Sequence, residues 1–111
     1  MIDIKQESSV VVLVIPGETL DASNAKTFKS EVAGLITAGS KLVFDMSQLR
    51  FVDSSGLGAI LSCLRQLHAV GGDLKLCAMN KPVRALFELV RMHRVFEIFN
   101  NSDEAVRAFG A

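Results

Sequence analysis

Residues 42–78 read LVFDMSQLRFVDSSGLGAILSCLRQLHAVGGDLKLCA, and this stretch decides the fold. Leu42 to Asp45 is a short, mostly apolar run that fits a buried strand. From Ser54 onward Leu57, Ile60, Leu61, Leu64 and Leu67 recur at helical spacing and give an apolar stripe. Gly71 and Gly72 supply the left-handed stop for that helix. Leu74 to Ala78 then reads as the next strand. Strands that alternate with helices imply a largely parallel sheet with right-handed crossovers. Residues 46–52 read as a turn and loop carrying Leu49, Phe51 and Val52.

The flanking segments extend the same order. Ile2 to Gln6 alternates and fits an edge strand, with a turn at Ser8 and Ser9. Val10 to Ile15 is an unbroken apolar run, mostly β-branched, that suits a strand buried on both faces and ended by Pro16 and Gly17. These first two strands are close enough to form an antiparallel hairpin. Asp21 can cap a helix over residues 22–38, whose Ala25, Phe28, Val32, Leu35 and Ile36 share one face and which Gly39 closes. Asn80 can cap a third helix with Pro82 in its first turn and Val83, Leu86, Phe87 and Val90 buried. Val95 to Phe99 reads as the last strand. Asn101 or Ser102 caps a final helix, whose Asp103 and Glu104 suit the helix dipole. The expectation is one α/β domain over residues 1–111, with four helices on a four- to five-stranded, mostly parallel mixed sheet that starts with an antiparallel hairpin.

Composition limits the function classes. Half of the 111 residues are hydrophobic, enough for a real core at this length. Twelve basic side chains balance twelve acidic ones, so no overall charge draws the chain to nucleic acid or an anionic membrane. Cys63 and Cys77 show neither CxxC spacing nor histidines at zinc-site intervals, which suits two buried reduced thiols. Asp3, Lys5 and Glu7 interrupt any leader-like apolar stretch, and no apolar run approaches the roughly 20 residues of a membrane span. A soluble, cytoplasmic protein is expected.

Chemistry concentrates in Phe51-Val52-Asp53-Ser54-Ser55-Gly56-Leu57-Gly58, where a loop enters the second helix. A serine at or next to the N-cap can bond a free first-turn N–H, and the positive helix end favours an anion. Gly56 and Gly58 would leave those N–H groups open to a phosphate. On pattern alone Ser54 is either a structural cap or an anion site. Asp53 either orients the hydroxyl or a metal brought by a kinase, or is a turn residue bonding the backbone. Asp21 reads first as an N-cap. His68 lies about 21 Å along the same helix from Ser54, too far to be its base. His93, between Arg91 and Arg94, is either a solvated turn or a phosphate or partner contact. Position 61 is leucine, so Gly56-Leu57-Gly58 does not continue into a dinucleotide fingerprint. There is no P-loop, no Gly-x-Ser-x-Gly elbow because position 52 is valine, and no His–carboxylate cluster for a metal, so no cofactor is expected.

Asp53-Ser54-Ser55-Gly56-Leu57-Gly58 at the start of the second main helix resembles the signature of the bacterial anti-sigma-factor antagonists, members of the STAS family. Gly17-Glu18-Thr19-Leu20-Asp21 is similar to that family's Gly-Glu-Leu-Asp segment, with one residue more than the commonest form. Gly71-Gly72 and the segment from Pro82 to Phe87 also fit, so the resemblance covers nearly the whole chain. It implies a non-enzymatic partner switch. Ser54, directly after the aspartate, would be the phospho-acceptor. The dephosphorylated form would bind an anti-sigma factor that is also a serine protein kinase, and free a sigma factor. Phosphorylation would end that binding, and a PP2C-type phosphatase would reset the switch. Glu18, Asp21, Asp53, Ser55, Gly56, Leu57 and Gly58 would meet the partner, with Glu18, Asp21 and Asp53 on one rim. The default is a monomer that binds neither nucleic acid nor membrane directly. A STAS scaffold of a stressosome or a subunit of a lipid transporter is the alternative. An enzyme with Ser54 as nucleophile would need a base within about 3 Å, and only His93 is left for that role.

Overall fold

The computed structural model describes residues 2–7 and 9–110. Its main sheet has five strands in the order β1-β2-β4-β6-β7. These are β1 (Asp3–Glu7), β2 (Val10–Val14), β4 (Lys41–Asp45), β6 (Asp73–Cys77) and β7 (Ile98–Phe99). β1 is antiparallel to β2, and every other pairing is parallel. The mixed α/β sheet with its N-terminal hairpin therefore matches the expectation, although the Ser8 half of the expected turn falls outside the described residues. Four helices accompany it: α1 (Ala25–Ala33), α2 (Ser54–Ala69), α3 (Lys81–Leu89) and α4 (Ser102–Ala108).

Strand alternation divides the core between the two faces. Leu13, Ile15, Leu42, Phe44, Leu74 and Leu76 point to one face and pack with the buried sides of α1, α2 and α3. Phe28 of α1 meets Phe44 edge-on at 5.5 Å between ring centres. Val10, Val12, Val43 and Cys77 point to the other face, where Ala105 and Val106 of α4 cover them. Lys75 is buried on that face, and its ammonium reaches Glu97 and lies 4.6 Å from the centre of the Phe109 ring. Burial thus leaves this charge paired and stacked rather than bare.

Five local expectations change. The helix expected over 22–38 is α1 alone, because residues 21–24 form a tight turn before it and Leu35 and Ile36 leave the helix in turns that still pack on the core. Asp21 is therefore not the N-cap: Asn24 holds that position, and the Asp21 carboxylate accepts from the Ser23 N–H and hydroxyl. Residues 46–52 are not all loop. Phe51–Val52 forms β5, which pairs in parallel with β3 (Thr19–Leu20) in a separate two-stranded sheet. Asn80 holds the N-cap position of α3 but without the expected side-chain cap bond; its amide donates instead to the Ser47 and Leu49 carbonyls. The last strand is shorter than expected. A 3₁₀ turn over Met92–Arg94 carries the chain round, Phe96 is buried, and only Ile98–Phe99 pairs.

The thiols of Cys63 and Cys77 are both free and buried, and desolvation pushes each up to about 12. Only the thiolate is the reactive form. Native protein at pH 8 should therefore resist iodoacetamide at both cysteines while unfolded protein is alkylated at both. Mass spectrometry of the two samples checks this.

Candidate functional site

The site is assembled by the small β3–β5 sheet. Alternation in β5 buries Val52 and leaves Phe51 and Asp53 on the outer side. The Glu18 carbonyl accepts from Arg50 and Phe51, and the Leu20 carbonyl accepts from Asp53. This pairing lays residues 18–21 beside residues 50–53. Asp21 thus comes beside Asp53 at the mouth of α2, while Glu18 lies at the other end of the small sheet beside Arg50.

Asp53 is the N-cap of α2, in extended backbone geometry, and its Oδ1 accepts from the Gly56 N–H at 2.9 Å. Its Oδ2 accepts from the Ala22 N–H at 3.2 Å. One carboxylate therefore closes the helix and fastens the loop before α1. Of the two expected roles for Asp53, bonding the backbone is the one found. An N-cap is worth about 1 kcal/mol. Asp53→Ala should cost about 1–2 kcal/mol and free the 20–24 loop, whereas Asp53→Asn keeps an acceptor oxygen and should cost less. Urea unfolding of the two variants measures the difference.

Ser54 is thus the first residue of α2 rather than its cap, and its side chain is exposed. No side chain among the described residues hydrogen-bonds its hydroxyl. Ser55 is exposed beside it, Leu57 is half-buried against the core, and Gly58 lies open with no atom near the place of a Cβ. Gly56 plays a different part from the one expected. It is buried, and a Cβ there would lie 2.2 Å from the Leu20 carbonyl oxygen and 2.8 Å from Val52 Cγ1. It permits close packing between α2 and the small sheet, and its N–H is spent on Asp53.

The electrostatics are one-sided. The Ser23 hydroxyl and N–H hold the Asp21 carboxyl below its ordinary range, so it is ionised at neutral pH. Glu18 faces Arg50 at 3.2 Å, an exposed pair of small energetic weight. Phe51 is 54% exposed, and a depression of about 240 Å³ runs from it along Val52, Pro82, Val83 and Leu86. The sequence assigns Phe51 and Arg50 no site role, because the Val52-in, Asp53-out alternation becomes visible only when residues 51–52 are recognised as a strand. His68 pairs with Asp73 at 3.0 Å near the far end of α2, and His93 lies in the 3₁₀ turn. Neither histidine is brought to Ser54. Among the described residues there is no group of three or more His, Cys, Asp or Glu placed to hold a metal ion, and no helix is long and apolar enough to cross a membrane.

The chain is 31% identical to the BtrV protein of Bordetella bronchiseptica over 91 residues, covering 81% of this chain and 78% of that one. It is 26% identical to an anti-sigma F factor antagonist of Paenibacillus polymyxa over 107 residues, covering 95% and 91%. Its fold is similar to that of the anti-sigma factor antagonist SpoIIAA in its unphosphorylated form, at a TM-score of 0.80 and 22% identity, covering 100% and 98%. The phosphorylated form of SpoIIAA from Bacillus superposes at a TM-score of 0.69 and 21% identity, covering 98% and 99%. The STAS domain model matches residues 1–105. With the mixed sheet, the small β3–β5 sheet and the capped entry to α2 already in place, this match makes the chain a member of the STAS-domain family.

Proposed function

We propose that this protein is an anti-sigma-factor antagonist, a non-catalytic switch that binds an anti-sigma factor when Ser54 is unmodified and lets go when it is phosphorylated. The observation that carries the reading is an exposed serine hydroxyl at the first position of α2, with Asp53 and Asp21 gathered beside it. The hydroxyl has no base of its own, so a kinase must supply one. In the step, Ser54 Oγ takes the γ-phosphoryl group of ATP, ADP leaves, and the hydroxyl proton passes to the kinase. The partner surface would take in the acidic rim, Ser55, Leu57, Gly58 and exposed Phe51. A phosphoserine adds roughly −1.5 to −2 charges at neutral pH. Placed beside Asp53 and Asp21, that charge repels whatever acidic surface the partner presents and leaves new charge to desolvate. The relatives named as anti-sigma factor antagonists, and a protein of this fold known in phosphorylated and unphosphorylated forms, support the reading. A serine kinase as the anti-sigma factor, a PP2C-type phosphatase as the reset, and a cytoplasmic monomer complete the proposal. The test is incubation with candidate kinases from the same genome and ATP, followed by mass spectrometry. One added phosphate should map to Ser54 and be absent from Ser54→Ala. A phosphate that maps elsewhere, or none with any kinase of this class, overturns the reading.

A further inference from the structure

The edge of the sheet at β7 lies open beside a groove. Among the described residues β7 pairs only with β6, so no strand neighbours its other side. The Glu97 and Phe99 carbonyls accept from Leu76 and Ala78 of the β6 segment, which turns the N–H and C=O of Ile98 to the open edge. Along this edge runs an open groove of about 480 Å³ between α3 and residues 93–99. Val95, 51% exposed, lines it, and Leu89 at the end of α3 is 79% exposed.

The charges around the groove are unequal in their partners. Glu97 is held by Lys75, and Glu88 by Arg84 at 3.5 Å. Arg94 in the groove, and Arg91 just before the 3₁₀ turn, make no ion pair among the described residues. Arg91 also sits in the left-handed region at φ 61°, a conformation that costs a non-glycine residue energy. The unpaired charge at this corner is therefore positive, and it stands beside an exposed apolar side chain and one open backbone donor–acceptor pair.

We propose that this groove binds an extended acidic segment of a partner protein, laid along β7 as an added strand. Strand addition takes its affinity from main-chain hydrogen bonds and its selectivity from alternate side chains. Here the Ile98 N–H and C=O would bond the segment, its carboxylates would face Arg94 and Arg91, and an apolar residue would lie on Val95. The groove runs along α3 from Arg84 to Glu88, and none of its lining residues belongs to the Ser54 rim.

The test is a titration of ¹⁵N-labelled protein, followed by NMR, with a capped hexapeptide of alternating glutamate and valine. The controls are the same peptide with lysine for glutamate, and anionic phosphatidylglycerol vesicles. The acidic peptide should shift amides of residues 93–99 and leave those around Ser54 in place, and the lysine peptide should not. Arg94→Glu should keep the fold, judged by the rest of the spectrum, and weaken the acidic peptide about tenfold, which is ~1.4 kcal/mol. Arg94→Lys should keep most of the affinity. No shift at residues 93–99, equal shifts with both peptides, an undiminished Arg94→Glu response, or binding to vesicles alone would each overturn the proposal.

Discussion

Gly56→Ala should lower the melting temperature by roughly 10 °C, the largest loss of stability expected from any single methyl group in the site. Inside a helix, glycine to alanine ordinarily stabilises by about 0.5–1 kcal/mol. At position 56 the new methyl would meet the Leu20 carbonyl carbon and oxygen at 2.9 and 2.2 Å and Val52 Cγ1 at 2.8 Å. Val52 can turn, but the Leu20 backbone is fixed by β3–β5 pairing and by the Asp53 N–H bond to its carbonyl. Relief therefore means moving α2 away from the small sheet. Overpacking of this kind costs typically 1–3 kcal/mol, and a clash with backbone belongs at the upper end. Gly58→Ala is the matched control: the same helix, two residues on and on its exposed side, with nothing within 4 Å of the added atom. It should gain up to about 1 kcal/mol. Thermal melts of the two variants beside the parent decide it; equal behaviour at the two positions would mean that α2 does not lie this close to Leu20.

Ser54→Asp should weaken binding of the anti-sigma partner about 100-fold while the melting temperature moves by only a degree or two. Stability is spared because the residue is exposed and an acidic side chain suits the first turn of a helix. Binding suffers because the new charge must lose its water at the interface beside Asp53 and an Asp21 whose carboxyl is held ionised. An uncompensated buried charge costs several kcal/mol, and about 2.7 kcal/mol corresponds to the hundredfold loss. Ser54→Ala should bind as the parent does and resist phosphorylation. Calorimetric titration of the partner against all three proteins, with melts alongside, separates a charge effect from a folding defect. Parent-like affinity for Ser54→Asp would remove the charge argument.

The elements carried by strong periodicity were legible in the chain. Val10–Ile15 and Leu42–Asp45 are short apolar runs whose length and flanking residues favour strands, the Leu57-to-Leu67 stripe has helical spacing, and β2, β4 and α2 stand where those patterns lie. The small β3–β5 sheet was not legible. Its strands are two residues long, below the length at which alternation is a signal, and they are stabilised by partners about thirty residues apart. The error at Asp21 has the same origin. A local rule makes any Asp before an apolar-periodic run a cap, but here the Ser23 N–H and hydroxyl capture its carboxylate and the helix starts three residues later. Ser54 was placed within one position. Asp53 competes for the same first-turn donor, and its carboxylate, which also reaches Ala22, takes the cap.

That small sheet also sets what the chain can tolerate in length. Successive residues of a strand point to opposite sides, so a one-residue slip of β5 against β3, as a longer or shorter 46–50 turn could force, would turn Asp53 inward and Val52 out to water. The connection from Met46 to Phe51 is thus a ruler whose graduations cannot be changed singly. The turn over residues 37–40 joins α1 to β4 away from the rim, and it is pinned in its own way: the Gly39 N–H donates to the Val70 carbonyl and the Ser40 carbonyl accepts from Asp73. Lengthening the chain there would strain those two bonds but leave the spacing of the acidic groups around Ser54 as it was.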